Sequence, residues 1–195
     1  MNKSIMCGWN HSVALKEDGT IECWGNNELY QCDPVYKTFT GIINVACGHS
    51  HSVALKNDGT IECWGDNEGN KWDTVYKTFT GVIGVACGTD HSVALRDTGT
   101  LECWETDLYY QFDSFYKTFT GVIDVACGSD HSVALKDDGT IECWGHNRFN
   151  QCDPVYKTFT GVIKIACGYY HSVALRSDGT IECWGNNDSN QCDPV

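Results

Sequence analysis

Positive charge is scarce in this chain. Thirteen lysines and arginines stand against 26 aspartates and glutamates in 195 residues, a formal net charge of −13. A surface this acidic repels a phosphate backbone and lacks the basic stripe with which nucleic-acid binders displace counterions, so DNA and RNA are excluded as partners. Long apolar runs are lacking as well. No stretch approaches the roughly 18 apolar residues of a membrane span, and Met1-Asn2-Lys3-Ser4-Ile5-Met6-Cys7-Gly8 has no apolar run of signal-peptide length. These absences predict a soluble, cytoplasmic protein with no membrane partner. Prolines number three while aromatics reach 12%, a composition that argues for a packed core over disorder. No Cys-x-x-Cys pair is present to support zinc.

What the chain has is repetition. His-Ser-Val-Ala-Leu begins at His11, His51, His91, His131 and His171, a strict spacing of 40 residues. A fixed period of this size dictates architecture. Repeats 1–40, 41–80, 81–120, 121–160 and 161–195 use the whole sequence as one domain, 1–195. The last repeat lacks only the Tyr-Lys-Thr-Phe-Thr connector found at Tyr36, Tyr76, Tyr116 and Tyr156.

Within the second repeat, Ile42 to Cys47 is a β-branched apolar run closed by Gly48, and His51 to Lys56 is another, closed by Asn57-Asp58-Gly59. Both read as strands. Asp-Gly is a strong hairpin signal because glycine supplies the positive φ of a primed turn, which pairs the second strand with Thr60 to Trp64. Val75 to Phe79 reads as a fourth, outer strand. Small antiparallel sheets with apolar residues on both faces must be covered on both sides, and neighbouring repeats can cover them. Radial repetition of this kind is a β-propeller. An open solenoid would need polar capping repeats, and the first and fifth repeats are no more polar than the rest, so the expectation is a closed, monomeric ring.

The repeat Val-Ala-Cys-Gly-x-x-His-Ser-Val-Ala-Leu-Lys-x-Asp-Gly-Thr-Ile-Glu-Cys-Trp-Gly-x-Asn-x-x-x-Gln resembles that of the RCC1-like (regulator of chromosome condensation) propellers. That family's Gly-x-x-His-Ser/Thr, Asp-Gly-x and Trp-Gly-x-Asn-x-x-Gly-Gln elements recur here in the same order. The resemblance implies an all-β, five-bladed β-propeller built from five 40-residue RCC1-like repeats. The third repeat drifts: Glu105 replaces the glycine after Trp104, Ser114 replaces proline, and Thr98 replaces the turn aspartate.

Thirteen cysteines fall into three positional sets, at the end of the first strand (Cys7, Cys47, Cys87, Cys127, Cys167), in the third strand (Cys23, Cys63, Cys103, Cys143, Cys183), and at Cys32, Cys152 and Cys192. Trp72 and Phe112 replace the last set, so that site takes an apolar filler. The first two sets lie two strands apart, about 9–10 Å, beyond disulfide reach within a blade. Free thiols packing as small hydrophobes is the favoured reading, with interblade disulfides or a metal role as the alternative. The five histidines follow a Gly-x-x turn that an imidazole can fasten by a hydrogen bond. The adjacent serines point to the opposite sheet face, so no Ser-His pair forms within a repeat. The loop Asp66-Asn67-Glu68-Gly69-Asn70 has calcium-loop residues without the full ligand ladder, and solvation explains it better. No catalytic residue, metal site or cofactor is expected.

Comparison among the five copies separates scaffold from variable surface. The Asp-Gly turn and the Thr-Phe-Thr-Gly connector scarcely change. Two segments vary: the turn between the first two strands and the loop after the third. In a meander both emerge on one face. The variable residues are acidic at Glu28, Asp66, Glu68, Asp90, Asp107, Asp130 and Asp188, basic at Arg148, and aromatic at Trp9, Tyr30, Tyr109, Tyr110, Phe149, Tyr169 and Tyr170. Aromatic anchors among carboxylates suit a basic protein or peptide. Carbohydrate is the alternative, and loops acidic only for solubility are the bland one. A multivalent lectin wants the same residues in every pocket, whereas these loops differ. Asn27, Asn67, Asn147 and Asn187 do recur, as loop braces. The expectation is a non-enzymatic scaffold that holds its partner on this loop face.

Overall fold

A computed structural model describes residues 2–32, 40–66, 80–105, 119–153 and 160–193. Fifteen strands and no helix occupy the described residues, grouped as five three-stranded antiparallel sheets. The blades are β1-β2-β3 (Asn2–Cys7, His11–Lys16, Ile21–Gly25), β4-β5-β6 (Ile42–Cys47, His51–Lys56, Ile61–Gly65), β7-β8-β9 (Val82–Cys87, His91–Arg96, Leu101–Glu105), β10-β11-β12 (Val122–Cys127, His131–Lys136, Ile141–Gly145) and β13-β14-β15 (Val162–Cys167, His171–Arg176, Ile181–Gly185). The expected fourth strand, Val75 to Phe79, lies outside the described residues, as do Trp72 and Phe112. By its contacts the chain divides into two compact units, one of Met1–Asp97 with Glu102–Thr106, the other of Thr98–Leu101 with Asp107–Val195.

Register explains which side chains meet. In the second blade Cys47 faces Ser52, and Ser52 faces Trp64 across the other ladder. Cysteines of the first and third strands are therefore separated by the middle strand, and all thirteen are free thiols. A one-residue bulge at Ile43, between the pairs Ile42–Lys56 and Asn44–Leu55, turns both Ile42 and Val45 inward.

The Asp-Gly turn differs from the primed turn read from sequence. Gly19 N–H donates to Lys16 C=O (3.1 Å), Lys16 N–H donates to Thr20 C=O (2.9 Å), and of the turn residues only Gly19 has positive φ, 78°. This is a type I turn followed by a left-handed glycine, a longer loop that needs one such residue instead of two. Its aspartate is employed as well. Asp18 Oδ1 accepts Thr20 Oγ1–H (2.6 Å) and Thr20 N–H (2.9 Å), which hold the carboxyl below the ordinary aspartate range. In the third repeat Thr98 Oγ1 bonds Thr100 Oγ1 instead, at 2.8 Å.

Packing between blades follows one plan. In the first compact unit Val13, Leu15, Ile21 and Cys23 of the first blade pack against Ile42, Val45, Ala54, Cys47 and Trp64 of the second. In the second unit Val133, Leu135, Ile141 and Cys143 meet Ile165, Ala174, Cys167 and Trp184 in the same way. Trp64 Nε1–H donates to Gln31 C=O and Trp184 Nε1–H to Gln151 C=O, each at 2.9 Å, so each indole ties its blade to the loop of the preceding one. The backbones also approach closely. A Cβ on Gly48 would lie 2.3 Å from His51 Cε1 and 2.5 Å from Gly88 O, so the Gly-x-x-His motif needs glycine for room both under the imidazole and against the next blade.

Candidate functional site

Each variable loop is built on the turn beside it. Asn26 N–H donates to Asn10 C=O (2.8 Å), Asp66 to Ser50 (2.9 Å), His146 to Asp130 (2.7 Å) and Asn186 to Tyr170 (2.9 Å), which joins the two variable segments along one edge of each of these blades. The loop after the third strand is braced by its own motif. Gln31 Oε1 accepts Leu29 N–H (2.9 Å), Gln31 Nε2–H donates to Asn26 Oδ1 (2.7 Å), and Asn27 Oδ1 accepts Cys32 N–H (2.8 Å). Asn147 and Asn187 brace Cys152 and Cys192 in the same way. The residue before the glutamine is left-handed in three repeats: Tyr30 (φ 62°), Asn150 (60°) and Asn190 (59°). This is the position where the resembled motif has glycine, so Tyr30 holds a conformation that costs an ordinary side chain about 1 kcal/mol or more.

In the second compact unit the loops of the fourth and fifth blades bring four rings together. Phe149 lies 4.9 Å from Tyr170, Tyr169 packs edge-on to Tyr170 at 4.4 Å, and His146 stands 6.2 Å from Tyr170 and 6.3 Å from Phe149. Arg148 extends over the Phe149 ring at 5.8 Å. Asp130 flanks the cluster through the His146 backbone and accepts Ser129 Oγ–H at 2.7 Å, while Ser129 N–H donates to Tyr169 C=O at 3.0 Å. Tyr169 remains 46% exposed, so the cluster presents a ring to solvent beside a carboxylate.

In the first compact unit Trp9 stacks obliquely on His49, centroids 5.2 Å apart, and stays 60% exposed. Tyr30 is 68% exposed and Glu28 is exposed, whereas Asp66 and Asp90 are half-buried. Glu68, Asp107, Tyr109 and Tyr110 lie outside the described residues. The sequence reading did not single out His49, His146 or Ser129, although all three fall in the variable segments. An imidazole at a variable position beside aromatics was the available signal.

Histidine and serine do pair, but between blades. His11 Nε2 lies 2.8 Å from Ser52 Oγ, His51 Nε2 2.8 Å from Ser92 Oγ, and His131 Nε2 2.9 Å from Ser172 Oγ. The histidines thus fasten one blade to the next, beyond the turn-fastening role expected of them. The sheet alternation that separates His51 from Ser52 in one repeat sends each toward a different neighbour. Ser52 and Ser92 donate to Cys47 Sγ and Cys87 Sγ at 3.6 Å, so the imidazole N–H donates to a hydroxyl whose proton points away from it. That polarity is opposite to a base activating a nucleophile, and Ser52 and Ser92 are fully buried. Burial lowers the pKa of His11, with a further contribution from His49. Burial pushes the thiols of Cys23, Cys47 and Cys167 up to about 12, far from thiolate reactivity. Among the described residues no group of three His, Cys, Asp or Glu side chains is placed to hold a metal ion.

Small antiparallel blades repeated at a fixed period and tied by indole and imidazole contacts define a β-propeller repeat protein. The regulator of chromosome condensation (RCC1) repeat profile matches residues 3–31, 42–70, 122–151 and 162–191, and the chain belongs to that family. The drifted third repeat is outside those matches yet folds as a sheet like the others. No curated protein matches the chain. Among solved structures it is similar to human WBSCR16 (20% identity, TM-score 0.78, 95% of this chain and 62% of that one). It is also similar to yeast RCC1, Prp20, bound to Kap60 (20%, 0.75, 95% and 56%). Prp20p from Saccharomyces cerevisiae, described with its binding properties to Gsp1p and histones, is matched at 21% identity and TM-score 0.76, over 100% of this chain and 60% of that one. The chain thus spans less than two thirds of each of these proteins, and the likeness is one of fold.

Proposed function

We propose that this protein is a non-enzymatic scaffold that binds a basic protein or peptide on its loop face, with the Phe149–Tyr169–Tyr170 cluster as the anchor and Asp130 as its charged flank. The observation that carries this reading is the meeting of aromatic side chains from two different repeats at one exposed place. Rings supply contact area at low entropic cost, and carboxylates with a net charge of −13 steer a cationic partner. The Prp20p structures are described with the protein partners Kap60, Gsp1p and histones, which agrees with this class of ligand. The buried, reversed His–Ser pairs favour a structural role over a catalytic one. A sugar-binding reading is disfavoured because the Oδ1 atoms of Asn27, Asn147 and Asn187 are occupied by backbone N–H groups.

The test is affinity capture followed by titration with basic peptides, alongside a glycan array, for the wild type and for Phe149→Ala, Tyr169→Ala and Tyr170→Ala. A central anchor costs about 2 kcal/mol when truncated, roughly 30-fold in Kd. Retained binding in all three variants, or loss only on changing the Asp-Gly turns, would overturn the assignment of the face; saturable sugar binding would replace the ligand class.

A further inference from the structure

The loop that carries Phe149 is braced differently from its counterparts. In the first and fifth blades the motif glutamine uses both ends of its amide. Gln31 Oε1 accepts Leu29 N–H while its Nε2–H donates to Asn26 Oδ1, and Gln191 Oε1 accepts Ser189 N–H (2.8 Å) while its Nε2–H donates to Asn186 Oδ1. In the fourth blade Gln151 Oε1 accepts Phe149 N–H at 2.9 Å, but the place of Asn26 and Asn186 is taken by His146, whose Nδ1 lies 2.9 Å from Gln151 Nε2. The Phe149 N–H fixes the amide, because of its two ends only the oxygen can accept. Gln151 Nε2 is therefore a donor and His146 Nδ1 its acceptor, so the imidazole carries its proton on Nε2. Gln151 is fully buried, so its amide cannot turn to solvent for another partner.

We propose that His146 is an acid-sensitive latch on the aromatic cluster: a second proton, on Nδ1, breaks the bond from Gln151, frees the segment that presents Phe149, and releases the bound partner. Release of a partner rests on reading that cluster as the binding site, whereas the latch rests on the brace alone. An imidazolium sets N–H against N–H at the Gln151 contact. If the amide flips to offer its oxygen, its NH2 then faces the Phe149 N–H, and that bond is lost instead. Either way a donor of the loop goes unpaired beside a buried group. The change stays local, because Gln151 C=O keeps the Trp184 indole N–H and with it the contact between the two blades. Around the imidazole stand Asp130 from the turn of its own blade, Arg148 and Cys152 from its own loop, and Tyr169 and Tyr170 from the turn of the fifth blade. Among side chains of these kinds only imidazole ordinarily changes charge between about pH 5 and 8. The asparagines of the other two loops have no proton to gain there.

The experiment is amide hydrogen exchange of the intact, isotope-labelled chain at about pH 7.5 and about pH 5, for the wild type and His146→Asn, each amide's protection being taken relative to an unstructured peptide at the same pH. His146→Asn installs the residue that already braces the loops at Asn26 and Asn186, so it keeps the fold. The expected result is that protection of the Phe149 amide falls roughly fivefold or more in acid in the wild type and holds in His146→Asn. The equivalent amides of Leu29 and Ser189 hold in both proteins and serve as controls in the same molecule. Phe149 protection that is unchanged in the wild type, that falls equally in His146→Asn, or that falls together with Leu29 and Ser189 overturns the proposal. Titration of both proteins with an oligo-lysine peptide at the two pH values follows the release, and affinity should drop roughly fivefold or more in acid for the wild type only. An acid loss of affinity with Phe149 protection intact means repulsion by the charged ring alone and overturns the latch. A peptide that binds neither protein at either pH overturns the reading of the cluster as the binding site, and Phe149 exchange still decides the latch.

Discussion

His11 Nε2 and Ser52 Oγ, 41 residues apart in sequence and on successive blades, lie 2.8 Å apart with both side chains buried. Ser52→Ala leaves the imidazole N–H without its acceptor in a dry site, which costs about 1–3 kcal/mol. Urea unfolding of the variant should show a lower midpoint with the slope unchanged.

The same histidine gives stability a dependence on pH. Burial lowers its folded-state pKa below the ordinary 6.5, so the unfolded chain binds the proton more readily. Its contribution is complete above pH 6.5 and is lost as pH falls through 6.5 toward the folded pKa. A His11→Gln variant should be less stable than wild type at neutral pH, with the gap narrowing as pH falls below 6.5 in thermal melts.

Gly48→Ala should be among the most damaging single changes. The added methyl meets His51 Cε1 at 2.3 Å and Gly88 O at 2.5 Å, and one of these atoms is backbone that can yield only by separating the blades. A loss of about 2–4 kcal/mol is expected, read as a large drop in melting temperature. Ile163→Ala, at an exposed strand position, should lower it little.

Tyr30→Gly should act in the opposite direction. Relieving the left-handed tyrosine is worth about 0.5–1 kcal/mol after glycine's own entropy is subtracted. The melting temperature should rise while binding on the loop face weakens, if this 68% exposed ring touches the partner.

Alkali should unfold the protein through its thiols. With Cys23, Cys47 and Cys167 pushed up to about 12 against an ordinary 9, the folded state holds protons that the unfolded chain releases. Stability is therefore intact below pH 9 and falls as pH rises toward 12. In iodoacetamide labelling at pH 8, exposed Cys7 should react well before these three.

Strand identity was legible because period and turn chemistry are local: Ile42–Cys47 and His51–Lys56 were bounded from apolar runs and glycines alone. The turn at Asp18-Gly19 was misread because a dipeptide does not reveal how many flanking residues the loop consumes. Pairings between repeats were hidden. Alternation along β5 shows that His51 and Ser52 diverge, but not that each meets its opposite number on a neighbouring blade. For the candidate site, the identities of Phe149, Tyr169 and Tyr170 were visible as variable aromatics. Their convergence depends on how the fourth blade's loop overhangs the fifth blade's turn, which the repeat spacing does not encode.

The glycine that brings Gly48 against Gly88, and the indole that reaches back to Gln31, recur at fixed places in the 40-residue period. Any one repeat therefore carries both halves of the seam. A coding segment of that length could be duplicated or lost in register without a new interface having to arise, while the loop segments drift independently of the seams.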